Sequence, residues 1–329
     1  MERKDSPRVR LLLGIAISLV SIVLVVRGLD WSAVGNALAG ADYRWLVPAS
    51  LLILLGLVMR ALRWRLLFYP PQPLSLAGLL DAINIGYLFS NVLPARLGDL
   101  IRAYLISEWE TVGKASALST VASERLLDAL TVVAFLFMLL PVLRLPDWAL
   151  RGGATVGALF LAGILALLWL ARRQRGVQRR LAAALRRLTV AQPDRWAGRL
   201  TALLDSFVAL RNPSVGLRAA LWSVATWGNA ALAFYLVFHG FHLAVPATAA
   251  VFTLAVVALG MAVPAAPGQV GIFEATGVVA LAVFGVARDQ ALSAILVIHA
   301  LNYVLISAAG LWSLARRGLS YREIVDRVR

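Results

Sequence analysis

The sequence predicts an all-α, polytopic integral membrane protein, and three observations carry that prediction. First, 60% of the 329 residues are hydrophobic and only 15% are charged, against about 45–50% and about 25% in ordinary soluble domains. Second, the apolar residues are clustered. Leu11–Val26, Gly152–Ala171 and Ala219–Phe238 contain no charged residue, and Ala291–Ala315 contains none beyond the titratable His299. A spanning helix needs about 20 mostly apolar residues. Third, the net charge of +15, from 32 Lys and Arg against 17 Asp and Glu, is concentrated just outside the apolar runs. That placement fits cytoplasmic flanks of membrane helices rather than a nucleic-acid surface. The absence of Cys excludes disulfides and thiolate-bound metal. No HExxH, GxSxG, Walker A or strand-linked GxGxxG pattern occurs, so no cofactor, metal or catalytic site is expected.

Helix by helix, the chain reads as one membrane domain. Arg3, Lys4, Arg8 and Arg10 put the N-terminus in the cytoplasm ahead of a first helix at about Arg10–Arg27. Its apolar stretch is sixteen residues long and Ala37-Leu-Ala39 lies well beyond it, so it is a retained helix and not a cleaved leader. A second helix covers about Trp45–Leu62. Arg60, Arg63 and Arg65 at its inner end are expected to snorkel to the headgroups, and Pro70, Pro71 and Pro73 stop it. The stretch from about 76 to 108 is apolar but holds Asp81, Asn84 and Asn91 and is broken at Pro94, so it reads as a broken or re-entrant segment. A third helix covers about Ser116–Leu143, Arg144–Trp148 forms a short outer loop, and a fourth helix covers about Gly152–Ala171. Arg172–Arg199 carries nine Arg and one Asp. It opens a cytoplasmic basic segment, about 172–215, that is either an interfacial helix on anionic headgroups or a solvated topogenic loop. A fifth helix covers about Leu217–Phe238. Leu243–Phe273 is uncharged for thirty-one residues, too long for one crossing, and Pro264, Pro267, Gly268 and Gly271 break it; this second broken region runs to about 287. A sixth helix covers about Ala291–Ala315, and Arg316, Arg317, Arg322, Arg327 and Arg329 place the C-terminus inside. The Trp residues near span ends, including Trp45, Trp148, Trp169 and Trp312, read as an interfacial belt.

The basic termini and basic loop all lie inside if six helices cross and each broken region enters and leaves on one side. The first would open from the cytoplasm and the second from outside. In the alternative, each is two full crossings. The two also share a pattern, Pro94-x-x-x-Gly98-Asp99-x-x-Arg102 and Pro267-x-x-x-Gly271-x-x-Glu274. Matching breaks in the two halves point to an inverted repeat with its site where the breaks meet. Backbone freed inside lipid survives only where protein or a water-filled cavity satisfies it.

Three clusters are candidate sites. Arg96, Asp99 and Arg102 read either as a phosphate clamp, because guanidinium forks suit phosphate oxygens, or as a solvated turn. Glu124, Arg125 and Asp128, with Ser119 and Ser123 one turn earlier, read as buried interior charges that bind substrate, form salt bridges to Arg96 or Arg102, or do both. Glu274, the only acid between Asp205 and Asp289, needs a cation or a proton at its depth, and so reads as a proton-coupling or headgroup-amine site or as the partner of one of those Arg residues. Arg96, Arg102 and Arg125 against Asp99, Glu124, Asp128 and Glu274 leave a deficit of one positive charge, which a proton or a visiting cation would fill. Asn229, His299, Asn302 and Tyr303 are expected to make interhelical hydrogen bonds.

Arg96-Leu-Gly-Asp99-Leu-Ile-Arg102, Ser123-Glu124-Arg125-x-x-Asp128 and Pro264-x-x-Pro267-Gly268-x-x-Gly271-x-x-Glu274 together resemble the transmembrane region of lysylphosphatidylglycerol synthases, a flippase-like family also called UPF0104. The resemblance covers nearly the whole chain. Position 269 is Gln, where similar sequences often have a third small residue. The resemblance implies a domain that flips lipid, and bifunctional members add a soluble domain that makes the aminoacylated lipid. This sequence ends at Arg329 without room for that domain, so translocation is expected and synthesis is not. The expected protein is a lipid flippase of a bacterial inner membrane, moving a phosphate-containing lipid, with or without an aminoacyl group. Its substrate site would be Arg96, Asp99, Arg102, Glu124, Arg125, Asp128, Pro267, Gly268, Gly271 and Glu274. Its partners would be membrane lipids, including anionic headgroups at the cytoplasmic face, and not nucleic acid; a second copy or an envelope-biosynthesis enzyme is the other partner considered. The alternatives are an intramembrane lipid-modifying enzyme acting through Asp99 or Glu124, or a non-catalytic partner subunit.

Overall fold

The computed structural model describes residues 7–139 except 28, 70 and 94–96, then 141, 143, 158 and 162, and residues 212–324 except 264 and 322. The expected fourth helix apart from residues 158 and 162, the Arg144–Trp148 loop and the Arg172–Arg199 segment lie outside the described residues, as do Pro94, Arg96, Pro264, Arg322, Arg327 and Arg329. Within them the chain forms α1 (Pro7–Val26), α2 (Trp31–Ala39), α3 (Leu46–Leu67), α4 (Leu76–Val92), α5 (Gly98–Trp109), α6 (Lys114–Leu139), α7 (Pro213–Gly240), α8 (Ala247–Gly260), α9 (Ile272–Ala282) and α10 (Arg288–Arg316), and no strand. Helix starts follow local chemistry. The carboxylate of Asp30 accepts from the Ser32 and Ala33 N–H groups at 2.9 and 3.3 Å and caps α2, a helix not expected from the sequence. The Ser75 hydroxyl accepts from Gly78 at 3.1 Å, and Asn212 caps α7 ahead of Pro213; both are side-chain oxygens meeting otherwise unpaired donors.

Lengths separate two kinds of helix. Tyr43–Leu67, Pro213–Gly240 and Arg288–Arg316 are 25, 28 and 29 residues of apolar helix, long enough to cross a bilayer. With 17 residues, α4 rises roughly 26 Å at about 1.5 Å per residue, less than the roughly 30 Å hydrocarbon core. α8 has 14 residues and reaches roughly 21 Å.

The described halves repeat one order: a long helix, a short helix, a break, a short helix and a long helix. The first is α3, α4, α5, α6 and the second α7, α8, α9, α10. The ends of the bundle give each half its sense. At one end the Asn212 amide donates to Tyr69 at 3.1 Å, joining the end of α3 to the start of α7. At this end too the Ser75 hydroxyl donates to Glu110 at 2.5 Å, so α4 enters where α5 leaves. Arg316 and Arg317 close the same end on the buried Asp81 at 2.5 and 2.6 Å. At the opposite end the Asp42 N–H donates to the Gly240 carbonyl at 2.8 Å, and Arg288 donates to the carbonyls of Arg27 and Leu24 at the end of α1. The second hairpin, between Gly240 and Arg288, therefore starts and finishes there. The two hairpins thus open at opposite ends of the bundle, the arrangement that an inverted repeat would give.

Hairpin packing explains the glycine of the first motif. A Cβ on Gly98 would lie 1.8 Å from the Gly86 carbonyl oxygen, so α4 and α5 touch backbone to backbone. One apolar core joins α3, α4 and α5 around Trp64, Phe68, Ile83, Phe89 and Ile106. A second joins α7 to α10 around Phe234, Phe238, Phe273, Leu281 and Ile295. The polar site lies between them.

Candidate functional site

The site begins with Arg63. It was expected to snorkel outward, but α3 continues to Leu67, five residues past the expected end, and carries Arg63 inward to zero exposure. Its guanidinium lies 2.7 Å from Asp128 and 3.2 Å from Glu124. Arg102 on α5 is also fully enclosed, 3.0 Å from both Asp99 and Glu124, with its guanidinium 5.1 Å from the Trp64 ring. Arg125 on α6 bridges Asp99 at 3.1 Å and Asp128 at 3.4 Å. Three cations and three carboxylates thus form one continuous network across α3, α5 and α6. Burying an ion costs several kcal/mol unless it is paired and hydrogen-bonded; each carboxylate here meets at least two guanidinium groups.

A cavity of about 490 Å³ lies against this network, within the usual range for small-ligand sites. Asp99, Arg125 and Asp128 line one side, with Arg60 and Tyr87 beside them. Arg60 was also expected to snorkel. Instead it is half-buried on the cavity wall and donates to the Tyr87 hydroxyl at 3.2 Å. Among the described residues no carboxylate lies within salt-bridge distance of it. Arg102 and Glu124 do not line the cavity; they hold the residues that do.

The second hairpin supplies the opposite wall. Its break is a tight turn in which Gly268, Gln269 and Gly271 all have positive φ, at 72°, 60° and 91°. Glycine is needed at 271 twice over, since a Cβ would also meet the Ser18 carbonyl at 2.6 Å. Glu274 accepts from the Gly271 N–H at 2.7 Å, in the first turn of α9. Its other oxygen lies 2.6 Å from His299 Nδ1, and His299 Nε2 lies 2.9 Å from the Gly268 carbonyl. The imidazole stacks on Phe273 at 4.3 Å between centroids. Glu274 is thus paired with His299, and with no arginine among the described residues. His299, Gly268 and Gln269 line the cavity, while Glu274 stands behind His299. The turn also meets the end of α4: a Cβ on Gly268 would sit 3.6 Å from the Asn91 carbonyl. The two breaks converge on one cavity.

Arg60, Arg63, His299, Trp227 and Asn91 were not assigned to the site from the sequence. The pattern Arg60-x-x-Arg63 on an apolar helix was the available signal for the first two, because such residues are costly in a membrane unless they face the bundle interior. Charge accounting changes with them. Among the described residues Arg63, Arg102 and Arg125 balance Asp99, Glu124 and Asp128, Glu274 belongs to His299, and Arg60 is an additional positive charge that Asp128 attracts without forming an ion pair. Of the expected hydrogen bonds, the Asn229 amide crosses to the Leu52 carbonyl at 2.8 Å, whereas Asn302 bonds within its own helix, to Ile298 at 2.9 Å. Among the described residues no group of three or more His, Cys, Asp or Glu could hold a metal ion.

Hairpins from opposite ends, meeting at a charged cavity inside an apolar bundle, define a polytopic helical membrane protein with a polar site among its helices. The chain belongs to the family described as lysylphosphatidylglycerol synthase TM region, whose profile matches residues 11–310. It is also similar to the glycosyltransferase AglD of Haloferax volcanii, 24% identical over 356 aligned residues. That alignment covers 97% of this chain and 56% of the relative, so the chain spans little more than half the relative's length.

Proposed function

We propose that this protein moves a phosphate-bearing lipid between the leaflets of a bacterial inner membrane, with both termini in the cytoplasm. The headgroup enters the cavity while the acyl chains stay outside. One observation carries the reading: Arg60 faces the cavity with no carboxylate, among the described residues, close enough to form an ion pair with it. A phosphate supplies the missing charge, and a guanidinium binds it through paired N–H donors. Arg125, at 35% side-chain exposure the most open cation of the network, is the second phosphate contact. Arg102 holds Asp99 and Glu124 in place. The Glu274–His299 pair carries the proton that energises the step, and Gly268, Pro267 and Gly271 shape the turn that moves. Membership of a family named for a lipid synthase's membrane region supports a lipid substrate.

Proteoliposomes holding fluorescent phosphate lipids test the reading. Arg60→Ala should slow translocation about tenfold, the equivalent of one lost charge-assisted hydrogen bond, and Arg60→Lys should restore part of the rate. An Arg60→Ala protein that moves every phosphate lipid at the wild-type rate would refute the site. A lipid-modifying enzyme is the second reading, favoured by the relative named a glycosyltransferase. Mass spectrometry separates the two, because an enzyme leaves a new covalent lipid product.

A further inference from the structure

The cavity that Arg60 faces is also lined by neutral acceptors. An Asn or Gln side chain offers two N–H donors and one carbonyl acceptor. The amide of Asn229 donates to Leu52, that of Asn302 to Ile298, and that of Asn91 to the Ser307 hydroxyl at 3.1 Å. In all three the protein uses the N–H side, and no described group donates to the oxygen. Gln269 adds a fourth carbonyl, buried and without a donor, on a residue held at φ 60°. Strained backbone of this kind clusters at functional sites. All four residues line the cavity, as do the rings of Trp227 and Tyr303. Trp227 is fixed in place by its indole N–H, which donates to Asp128 at 3.0 Å.

Four neutral carbonyls and two aromatic faces call for a ligand rich in hydrogen-bond donors. Charge then chooses between an ammonium and a set of hydroxyls. The carboxylates near the cavity are taken: Asp99 by Arg102 and Arg125, Asp128 by Arg63 and Arg125, and Glu274 by His299 and the Gly271 N–H. The excess charge, on Arg60, is positive and repels an amine. Hydroxyl groups have no such conflict, and the C–H face of a sugar ring packs on an aromatic plane. We infer that the headgroup admitted to the cavity is a phosphorylated polyol, of the sugar-phosphate type, and not an aminoacyl or other amine-bearing group. The inference rests on the proposed function for the position of the phosphate, at Arg60 and Arg125, with the hydroxyls toward Asn91, Asn229, Asn302 and Gln269.

The test measures binding and transport separately on the full chain. In a non-glycosidic detergent, thermal shift is recorded with phosphatidylinositol, phosphatidylethanolamine, free glucose 1-phosphate and free phosphoethanolamine. In phosphatidylcholine vesicles, translocation is recorded for acyl-labelled phosphatidylinositol and phosphatidylethanolamine. The polyol lipid should bind about tenfold more tightly than the amine lipid, the equivalent of one or two good hydrogen bonds. Asn302→Leu, whose amide makes only an intrahelical contact, should remove most of that preference, and Asn302→Asp should admit the amine lipid. Should Asn302→Leu not fold, Asn91→Leu asks the same question from α4. Glucose 1-phosphate binding as tightly as the lipid would support the headgroup chemistry and place its source in solution. Polyol binding without any lipid transport would leave this inference standing and defeat the translocation reading. Amine-bearing probes binding as tightly as their polyol counterparts would overturn the inference.

Discussion

The Glu274–His299 pair holds one proton between its members, and the reason is a neighbour that cannot donate. The Gly268 carbonyl only accepts, so the contact at Nε2 fixes a hydrogen there. The 2.6 Å contact between Nδ1 and Glu274 then needs a single proton, which sits either on the imidazole facing a carboxylate or on the acid facing a neutral ring. Losing it sets a lone pair against a carboxylate and breaks the tie between α10 and α9, while the Nε2 contact to the Pro-Gly turn stays. Glu274→Gln isolates this effect, because its carbonyl can still accept from Gly271 and its amide can donate to Nδ1. That variant should unfold at close to the wild-type temperature, yet its translocation rate should fall about tenfold or more, because an amide keeps the hydrogen bond but cannot give up or take a proton. Wild-type translocation by Glu274→Gln would place the transported proton elsewhere. Glu274 was legible in the sequence as a lone acid beside a backbone break. His299 was legible as an interhelical hydrogen-bonding group but not as the partner of Glu274, because an isolated histidine in an apolar run carries no partner in its own sequence neighbourhood. Arg63 was hidden for a related reason: a basic residue near a helix end looks the same whether it snorkels or turns inward, and the choice is made by Glu124 and Asp128, more than sixty positions away.

The broken elements were legible because proline, glycine and charge interrupt otherwise apolar runs: α4 ends at Val92 and α5 starts at Gly98, and α8 ends at Gly260 and α9 starts at Ile272. Their contact partners were not, since close backbone approach leaves only a glycine as its trace. Gly98 is the sharpest case. A methyl group there would overlap the Gly86 carbonyl oxygen at 1.8 Å, and α4 and α5 would have to part, opening the wall that carries Asp99 and Arg102. Overpacking of this kind costs about 1–3 kcal/mol, so Gly98→Ala should lower the unfolding temperature in detergent and release the ion-pair network. Gly228, inside α7, has nothing within 4 Å of an added Cβ. Gly228→Ala should therefore go the other way, stabilising the protein by about 0.5–1 kcal/mol through helix propensity alone. Equal thermal shifts for the two variants would mean that the α4–α5 contact is not a tight one.

At the scale of the whole molecule, the inverted repeat makes a directional claim. The end that gathers Tyr69, Ser75, Glu110, Asn212 and Asp81 also carries Arg65, Lys114, Arg218, Arg316 and Arg317. The opposite end, with Arg27, Arg44 and Arg288, has Asp30, Asp42 and Asp289 among them. Positive charge on short flanks sets orientation, so the first end should face the cytoplasm, with the first hairpin opening inward and the second outward. The absence of cysteine in the sequence makes this directly measurable, because each introduced thiol is the only one. Asn36→Cys on α2 and Gln290→Cys at the start of α10 are at exposed positions of the opposite end. In intact cells they should react with a membrane-impermeant maleimide. Lys114→Cys at the start of α6 and Ser320→Cys after α10, exposed at the basic end, should react only after the membrane is opened. Labelling of all four from outside would break the two-ended arrangement itself. Labelling of the second pair alone would keep the inverted repeat and reverse its orientation, so that a headgroup reaching Arg60 through the first hairpin would start from the outer leaflet.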